Sequence, residues 1–590
     1  MGAFFLFRQD ANPVLDEAMQ VFSRKGLTTF RRFFLGSWTL VSYRKMLLRI
    51  DNFLTDTEGN SIFCCGTLSY RSLGYEASLA RLLADYRCAA IDRAELIGNF
   101  CVLFWDGRTL SLMADQLNAQ HVFVNESGTC LSSSFLAVLA SSPRPLSVNR
   151  TAAHEKLATG YIVSPDTLVE GIRQLNQNLF PWLESKTGIR VIDNAPPDGC
   201  DGFHHQGFKN SICSQLEVLK AYFKRLESLV REFHAELGLS SGFDSRLLLA
   251  LSQAFSDRIP LHSHHTVNVH EFELAIAQEL ASIGGNELTV FPTIRIEDQE
   301  EERRREIISE NLYFFDGRCI NDMGSFSETY TARYRMRVLG RNRLSLHGLG
   351  GEIYRNVYAT PQRHFIWNDW ADCAVFYPFA REVCRDERAF LEMRNHRNSK
   401  IAARLDVDLA GKVDFHTIRR GYGLVRMPDN AGSVSNAYNQ VSFLLTPFIE
   451  SIPLREALKA TPYIGACGGY EAAMIRELSP RLAAVNSQYG HSFSAIPPMY
   501  AMKSKIISII PLKLRHTRQR RRYQDVRQNS SYARYQLLRS SSSIIQEIEE
   551  ILGDSFPGVD WDLTNRSDTQ KCTCISVGSF IREFQHKLRI

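Results

Sequence analysis

The sequence predicts a chain of two parts: a β-rich unit over residues 1–190 and a larger α/β unit over residues 209–590, built on a parallel sheet and ending in helices. Three observations carry this. Short strand-like runs punctuated by turn residues fill the first part, helical and strand periods alternate from Ala235 onward, and a Pro/Gly-rich interval at 191–208 separates them.

In the first part, Asn99 to Trp105 reads as a strand, Asp106-Gly107 as a turn and Thr109 to Met113 as the returning strand, so a hairpin is expected. Between Asp193 and Phe208 the chain gathers Pro196, Pro197, Gly199, Gly202 and Gly207 with little apolar periodicity, which reads as a linker. From Leu216, the residues Leu219, Phe223, Leu226, Val230 and Phe233 recur at helical spacing. A strand through Ala235, Leu237 and Leu239, a helix from Asp244 to Phe255, a strand from Ile259 to Val267, a helix from Glu271 to Ile283 and a strand from Leu288 to Phe291 follow. That βαβαβ order implies parallel strands with helices on the sheet faces. Beyond Arg303 the pattern is mainly helical, with Ser540 to Ser543 as the expected cap of a helix from Ile544 to Leu552.

The composition belongs to a globular protein. The 590 residues are 44% hydrophobic and 23% charged, which excludes disordered and collagen-like classes. A net charge of +5 is too small to name nucleic acid or membrane as the main partner, and no run of eighteen apolar residues predicts a membrane span. Thirteen scattered cysteines, no secretory signal pattern at Met1 to Arg8 and no myristoylation context at Gly2 lead to a cytoplasmic expectation.

Chemistry concentrates in two loops. The strand at Ala235 runs into Ser240-Ser241-Gly242-Phe243-Asp244-Ser245, where a helix begins. Ligands of open parallel sheets bind at strand carboxyl ends. Here small residues admit a polyphosphate, Ser240, Ser241 and Ser245 offer hydroxyls, and the helix N-terminus is electropositive. Asp244 beside phosphates implies an intervening Mg²⁺. A second strand, Leu344 to Leu346, leads into His347-Gly348-Leu349-Gly350-Gly351-Glu352, whose glycines again allow close approach and whose Glu352 supplies a second carboxylate for the same metal. No Gly-Lys-Ser/Thr element marks a Walker loop.

These residues resemble the asparagine synthetase family. Ser240 to Ser245 resembles its pyrophosphate loop, with Ser241 in place of the first glycine, and Gly348 to Glu352 resembles its second metal-binding loop, in which Asp is usual at the position of Glu352. Gly98-Asn99-Phe100 through Trp105-Asp106, Ala114 to Asn118, Tyr161, Thr167-Leu168 and Gly171-Ile172 are similar to the family's glutaminase domain. The resemblance implies an Ntn-hydrolase-like β-sandwich layered with helices, then an ATP-pyrophosphatase domain of the adenine nucleotide α-hydrolase type. It also implies ATP and Mg²⁺ as cofactors, with Asp244 and Glu352 as catalytic metal ligands and Ser240, Ser241, Gly242, Ser245, Gly348, Gly350 and Gly351 around the phosphates. The reaction it implies is adenylation of a carboxylate on a small molecule, peptide or glycan, followed by attack of ammonia or an amine.

Besides Ser241 and Glu352, the chain departs from that family at four places. Gly2 stands where a working glutaminase has Cys, so no glutamine hydrolysis is expected. The Arg-Gly-Pro-rich glutamine-binding segment is absent between Arg24 and Lys45. Leu349 replaces the Glu of asparagine synthetases proper, and Gln488 occupies the position of a catalytic lysine, with Arg246, Arg355 and Lys503 as candidate substitute cations. A non-catalytic ATP- or AMP-binding protein and asparagine synthesis from ammonia therefore stay open beside amide ligation.

Weaker signals read as structure first. His262, His264, His265 and His270 would be split between strand faces, Cys572 and Cys574 lack a second cysteine pair, and Lys513 to Arg522 reads as a solvated helix face, with binding of an acidic partner or polyanionic substrate as the alternative. Phe314 to Arg318 is either part of an acceptor pocket or a buried turn.

Overall fold

The computed structural model describes residues 1–192, 202–203, 207–265, 271–319, 327–465, 467–527 and 529–590. Most of the predicted linker and His270 lie outside the described residues. The chain is mixed α/β, with antiparallel sheets in its N-terminal part and a parallel sheet later.

Two antiparallel sheets stack in the first part because their strands alternate faces. One has the order Ile172–Gln174, Phe123–Asn125, Cys130–Ser132, Ala3–Arg8, Trp38–Tyr43, Phe30–Leu35. The other runs Arg190–Val191, Leu110–Ala114, Phe100–Trp105, Ser61–Gly66, Phe53–Thr55, with its Arg190–Val191 edge added in parallel. Phe4 and Leu6 face the second sheet and meet Phe63, Leu103 and Leu112, while Ala3 and Phe5 face outward onto the helix Leu15–Arg24 through Ala18 and Phe22. On the far side of the second sheet, Ile62, Val102 and Phe104 pack on the helix Tyr75–Arg87. The predicted hairpin is present, and its turn is held by Asp106, whose Oδ1 accepts the N–H groups of Arg108 (2.9 Å) and Thr109 (2.7 Å).

The long predicted helix spans Phe208–Phe233 and buries Leu219, Phe223, Leu226 and Val230, the stripe its period forecast. The strands Ala235–Gly238, Leu261–His265 and Leu288–Pro292 and the helices Phe243–Ser252 and Glu271–Gly284 follow in the expected order. The complete parallel sheet has the order Leu288–Pro292, Leu261–His265, Ala235–Gly238, Leu344–Leu346, Phe443–Leu445.

The cap expected at Ser540 to Ser543 is made differently. Ser542 precedes the helix Ser543–Ser555, but its hydroxyl donates to Glu301 (2.8 Å), and Glu301 itself accepts the N–H of Ile544 (3.0 Å). A carboxylate from a neighbouring helix satisfies the free N–H more strongly than a serine hydroxyl.

Packing continues across the predicted boundary. Tyr75 lies against Phe443 with ring centroids 4.7 Å apart, and Thr67 Oγ1 donates to Asn439 Oδ1 at 2.7 Å. The chain's last strand, Leu588–Arg589, pairs in parallel with Leu146–Ser147. Among the described residues no helix is long and apolar enough to cross a membrane.

Candidate functional site

The sheet order creates one place where chain direction diverges. From Ala235–Gly238 the chain moves to one side, through Leu261–His265 to Leu288–Pro292; from its neighbour Leu344–Leu346 it moves to the other, to Phe443–Leu445. Register pairs Leu237 with Leu346, so the two glycine-containing loops leave adjacent strand ends side by side at this switch point.

Their contact is close. A side chain at Gly351 would stand 2.6 Å from Asp244 Cγ, and one at Gly348 would stand 3.1 Å from Asp244 Cβ. Gly350 has φ +88°, a conformation that L side chains rarely adopt. Those glycines let the second loop lie over the first turn of the helix Phe243–Ser252 and over its Asp244.

Within the first loop the serines bond one another. Ser240 Oγ and Ser245 Oγ lie 3.0 Å apart, Ser245 Oγ also accepts the Ser240 N–H at 3.0 Å, and Gly242 N–H donates to Ser240 Oγ at 3.3 Å. Buried Ser241 donates its hydroxyl to Gln488 Oε1 at 3.2 Å. Gln488 therefore stands at the mouth of the loop, although sequence separates it from Ser241 by more than two hundred residues.

Asp244 is gripped by Arg355, whose Nη2 lies 2.8 Å from both carboxylate oxygens. The same guanidinium reaches Glu471 Oε2 through Nε at 3.2 Å and the Tyr489 hydroxyl through Nη1 at 3.3 Å. Burial raises the Asp244 carboxyl to about 6; Arg355 opposes that shift, and the nearby charge of Glu352 adds to it. Glu471 is fully buried and held well above the usual carboxylate range, first by burial and then by the negative charge of Asp244. Asp244 and Glu471 thus share one guanidinium, with the charge of Glu352 nearby, and the two carboxyl groups titrate together. The formal negative charge of Asp244, Glu352 and Glu471 exceeds the single positive charge of Arg355.

The other candidate cations do not serve this site. Arg246 is fully buried and donates to the carbonyl oxygens of Ser241, Val485 and Asn486, bolting the Gln488 segment to the first loop. Lys503 is exposed on the helix Pro498–Ile509. Arg355 alone of the three contacts a predicted acid.

Beside the site, His262 Nδ1 meets Glu236, which also accepts Arg335 Nη2 at 2.9 Å. Burial alone would raise Glu236, but His262 and Arg335 outweigh it and hold the carboxyl at about 2. The His264 ring, lowered to about 3 by burial and by His262, has its Nδ1 3.1 Å from the Tyr334 hydroxyl. Among the described residues no set of three or more His, Cys, Asp or Glu side chains forms a ready-made metal cage. Cys572 and Cys574 are buried in the helix Asp568–Phe584. Phe314 to Arg318 is a buried turn: Asp316 accepts from Lys25 at 2.7 Å and Ser134 at 2.6 Å, and Arg318 donates to Gln174 and to Asp429 O.

Sequence reasoning misses Glu471 and Tyr489. Glu471 sits among Tyr470, Ala472, Ala473 and Met474 on the helix Gly469–Leu478, and a lone acid on a buried stretch is the signal that could have found it. Fold and site together define a parallel-sheet α/β protein with an acidic cluster at its switch point. No protein-family model matches the chain, and no curated protein matches it.

Proposed function

We propose that the chain is an ATP-dependent, AMP-forming amide ligase similar to the asparagine synthetase family, with residues 1–190 as an amidotransferase-like domain without glutaminase activity. The observation that carries this reading is the meeting of Asp244 with the second glycine-containing loop at the switch point, in a carboxyl cluster that one guanidinium does not neutralise. The stacked sheets flanked by helices in the first part are compatible with an Ntn-hydrolase-like sandwich.

The donor set fits Mg²⁺, which takes one or two carboxylates and completes its shell with phosphate oxygens and water. Asp244 and Glu352 would hold the ion, which supplies Lewis-acid neutralisation of the pyrophosphate. Ser240, Ser241, Gly242, Ser245, Gly348, Gly350 and Gly351 line the approach of the phosphates through hydroxyls, backbone N–H groups and absent side chains. Positioning dominates the chemistry, because the substrate carboxylate must be held in line with the α-phosphorus while pyrophosphate leaves. Arg355 is the cation placed to bear charge that Gln488 cannot. A nitrogen nucleophile, from ammonia or from an amine on the substrate, then displaces AMP.

Incubation with ATP, Mg²⁺ and a carboxylate library, with and without ammonium salts, tests the reading. AMP and pyrophosphate are the expected products; ADP and phosphate would refute it, and turnover of aspartate with ammonium would narrow it to asparagine synthesis. The hydrogen bond between Gln488 and Ser241 favours a second reading, a nucleotide-binding protein without turnover, which predicts thermal stabilisation by ATP and no AMP under any substrate.

A further inference from the structure

The helix Pro498–Ile509 is built inside out. None of its residues is buried, yet Met499, Met502, Ile506 and Ile509, spaced three, four and three apart, form one face with exposures of 79, 59, 52 and 68%. The side turned toward the protein carries the small residues Ala501, Ser504 and Ser508, together with Tyr500, whose ring rests 4.6 Å from that of His491. Lys503 and Lys505 are exposed and flank the apolar face, about 80° to either side at 3.6 residues per turn.

Charge around this helix is one-sided. Residues 478–524 contain nine Lys or Arg and no Asp or Glu, so the rest of the chain, despite the net +5, has four more acids than bases. On the following helix, Leu512–Gln524, Arg515 donates to the backbone of Tyr358 and Ala359 and Arg520 pairs with Glu382. Arg518, Arg521 and Arg522 are exposed without an acidic partner among the described residues, and Leu514, one turn before Arg518, is 62% exposed.

We propose that these two helices dock the protein on an anionic membrane surface, with the Met499–Ile509 face inserted among acyl chains and the Lys and Arg side chains at the headgroups. An interfacial helix requires an apolar face turned away from the protein body and cations at its margins that extend to the phosphates; this helix has both. A second copy of the chain is a poorer occupant, because a helix about 18 Å long falls short of the roughly 800 Å² per partner of a stable interface. An extended peptide would need a groove, and this face is convex. No side chain of the docking face is among the residues proposed to hold the nucleotide. The small net charge of the whole chain does not argue against it, because that sum averages a basic segment with a net acidic remainder.

Sedimentation of the full chain with phosphatidylcholine vesicles, with and without phosphatidylglycerol, tests the docking. Binding is expected on the anionic vesicles only and should weaken as salt rises. Met502→Ser with Ile506→Ser should reduce affinity tenfold or more while leaving the melting curve unchanged, since both side chains are exposed. Arg518→Gln, Arg521→Gln and Arg522→Gln together should reduce it roughly a hundredfold at low salt and flatten the salt dependence. Four results would overturn the proposal: absence of binding to anionic vesicles, equal binding to neutral ones, binding indifferent to both sets of substitutions, or self-association abolished by the Met502/Ile506 pair, which would assign the face to a second copy.

Discussion

Asp244→Asn isolates the charge at the centre of the site. The substitution preserves shape and leaves an amide oxygen for Arg355, but it removes one of the two carboxyl groups in contact with that guanidinium. In the folded chain the Asp244 carboxyl titrates at about 6 against 3.8 without its surroundings, so the native state binds this proton more tightly than the unfolded state. Stability from this group is therefore present below pH 3.8 and is lost as pH rises through 6. Between pH 4.5 and 7 the loss is about 2 kcal/mol, at 1.36 kcal/mol per pH unit, shared in part with Glu471 because the two titrate together. Urea unfolding of wild type and variant at those two pH values measures it as a double difference that cancels every distant group. The variant should gain about 1–2 kcal/mol relative to wild type on going from pH 4.5 to 7. Equal pH dependence, or a relative gain by wild type, would refute the carboxyl cluster and leave an ordinary Asp–Arg ion pair.

Three further outcomes follow from the same geometry. Gly351→Ala drives a methyl group into the Asp244 carboxylate and should cost about 1–3 kcal/mol in unfolding free energy and abolish the thermal shift produced by ATP. Gln488→Lys places a cation beside Ser241 and should raise the rate of pyrophosphate release tenfold or more, measured by a coupled phosphate assay. Glu236→Gln removes a carboxylate held at about 2 against a usual 4.5; wild type should lose stability as pH falls from 4.5 toward 2, and the variant should lack that loss in acid melting curves.

The parallel unit was legible because local signals were strong. Leu219, Phe223, Leu226 and Val230 follow the helical period, and the strands at Ala235, Ile259 and Leu288 are separated by helices of ordinary length. Asp244 and Gly351 could be singled out since each loop follows a strand, and the sheet order then made them neighbours. Arg355 could be named but not ranked above Arg246, because sequence does not tell which guanidinium is consumed by carbonyl oxygens; Val485 and Asn486 take Arg246. Glu471 and Tyr489 could not be tied to the loops from sequence, since only packing of the helix Gly469–Leu478 against the helix Phe243–Ser252 brings that region to them. The serine cap failed for the same reason: the long-range carboxylate of Glu301 outcompeted the local hydroxyl.

The central claim is that Asp244 and the second loop together support adenylation. Exchange of labelled pyrophosphate into ATP, in the presence of Mg²⁺ and a carboxylate substrate, reads that half-reaction without requiring the nucleophile. Exchange by wild type, lost by at least a hundredfold in Asp244→Asn while the variant keeps its fold, is the predicted result. Exchange that survives in Asp244→Asn would contradict it.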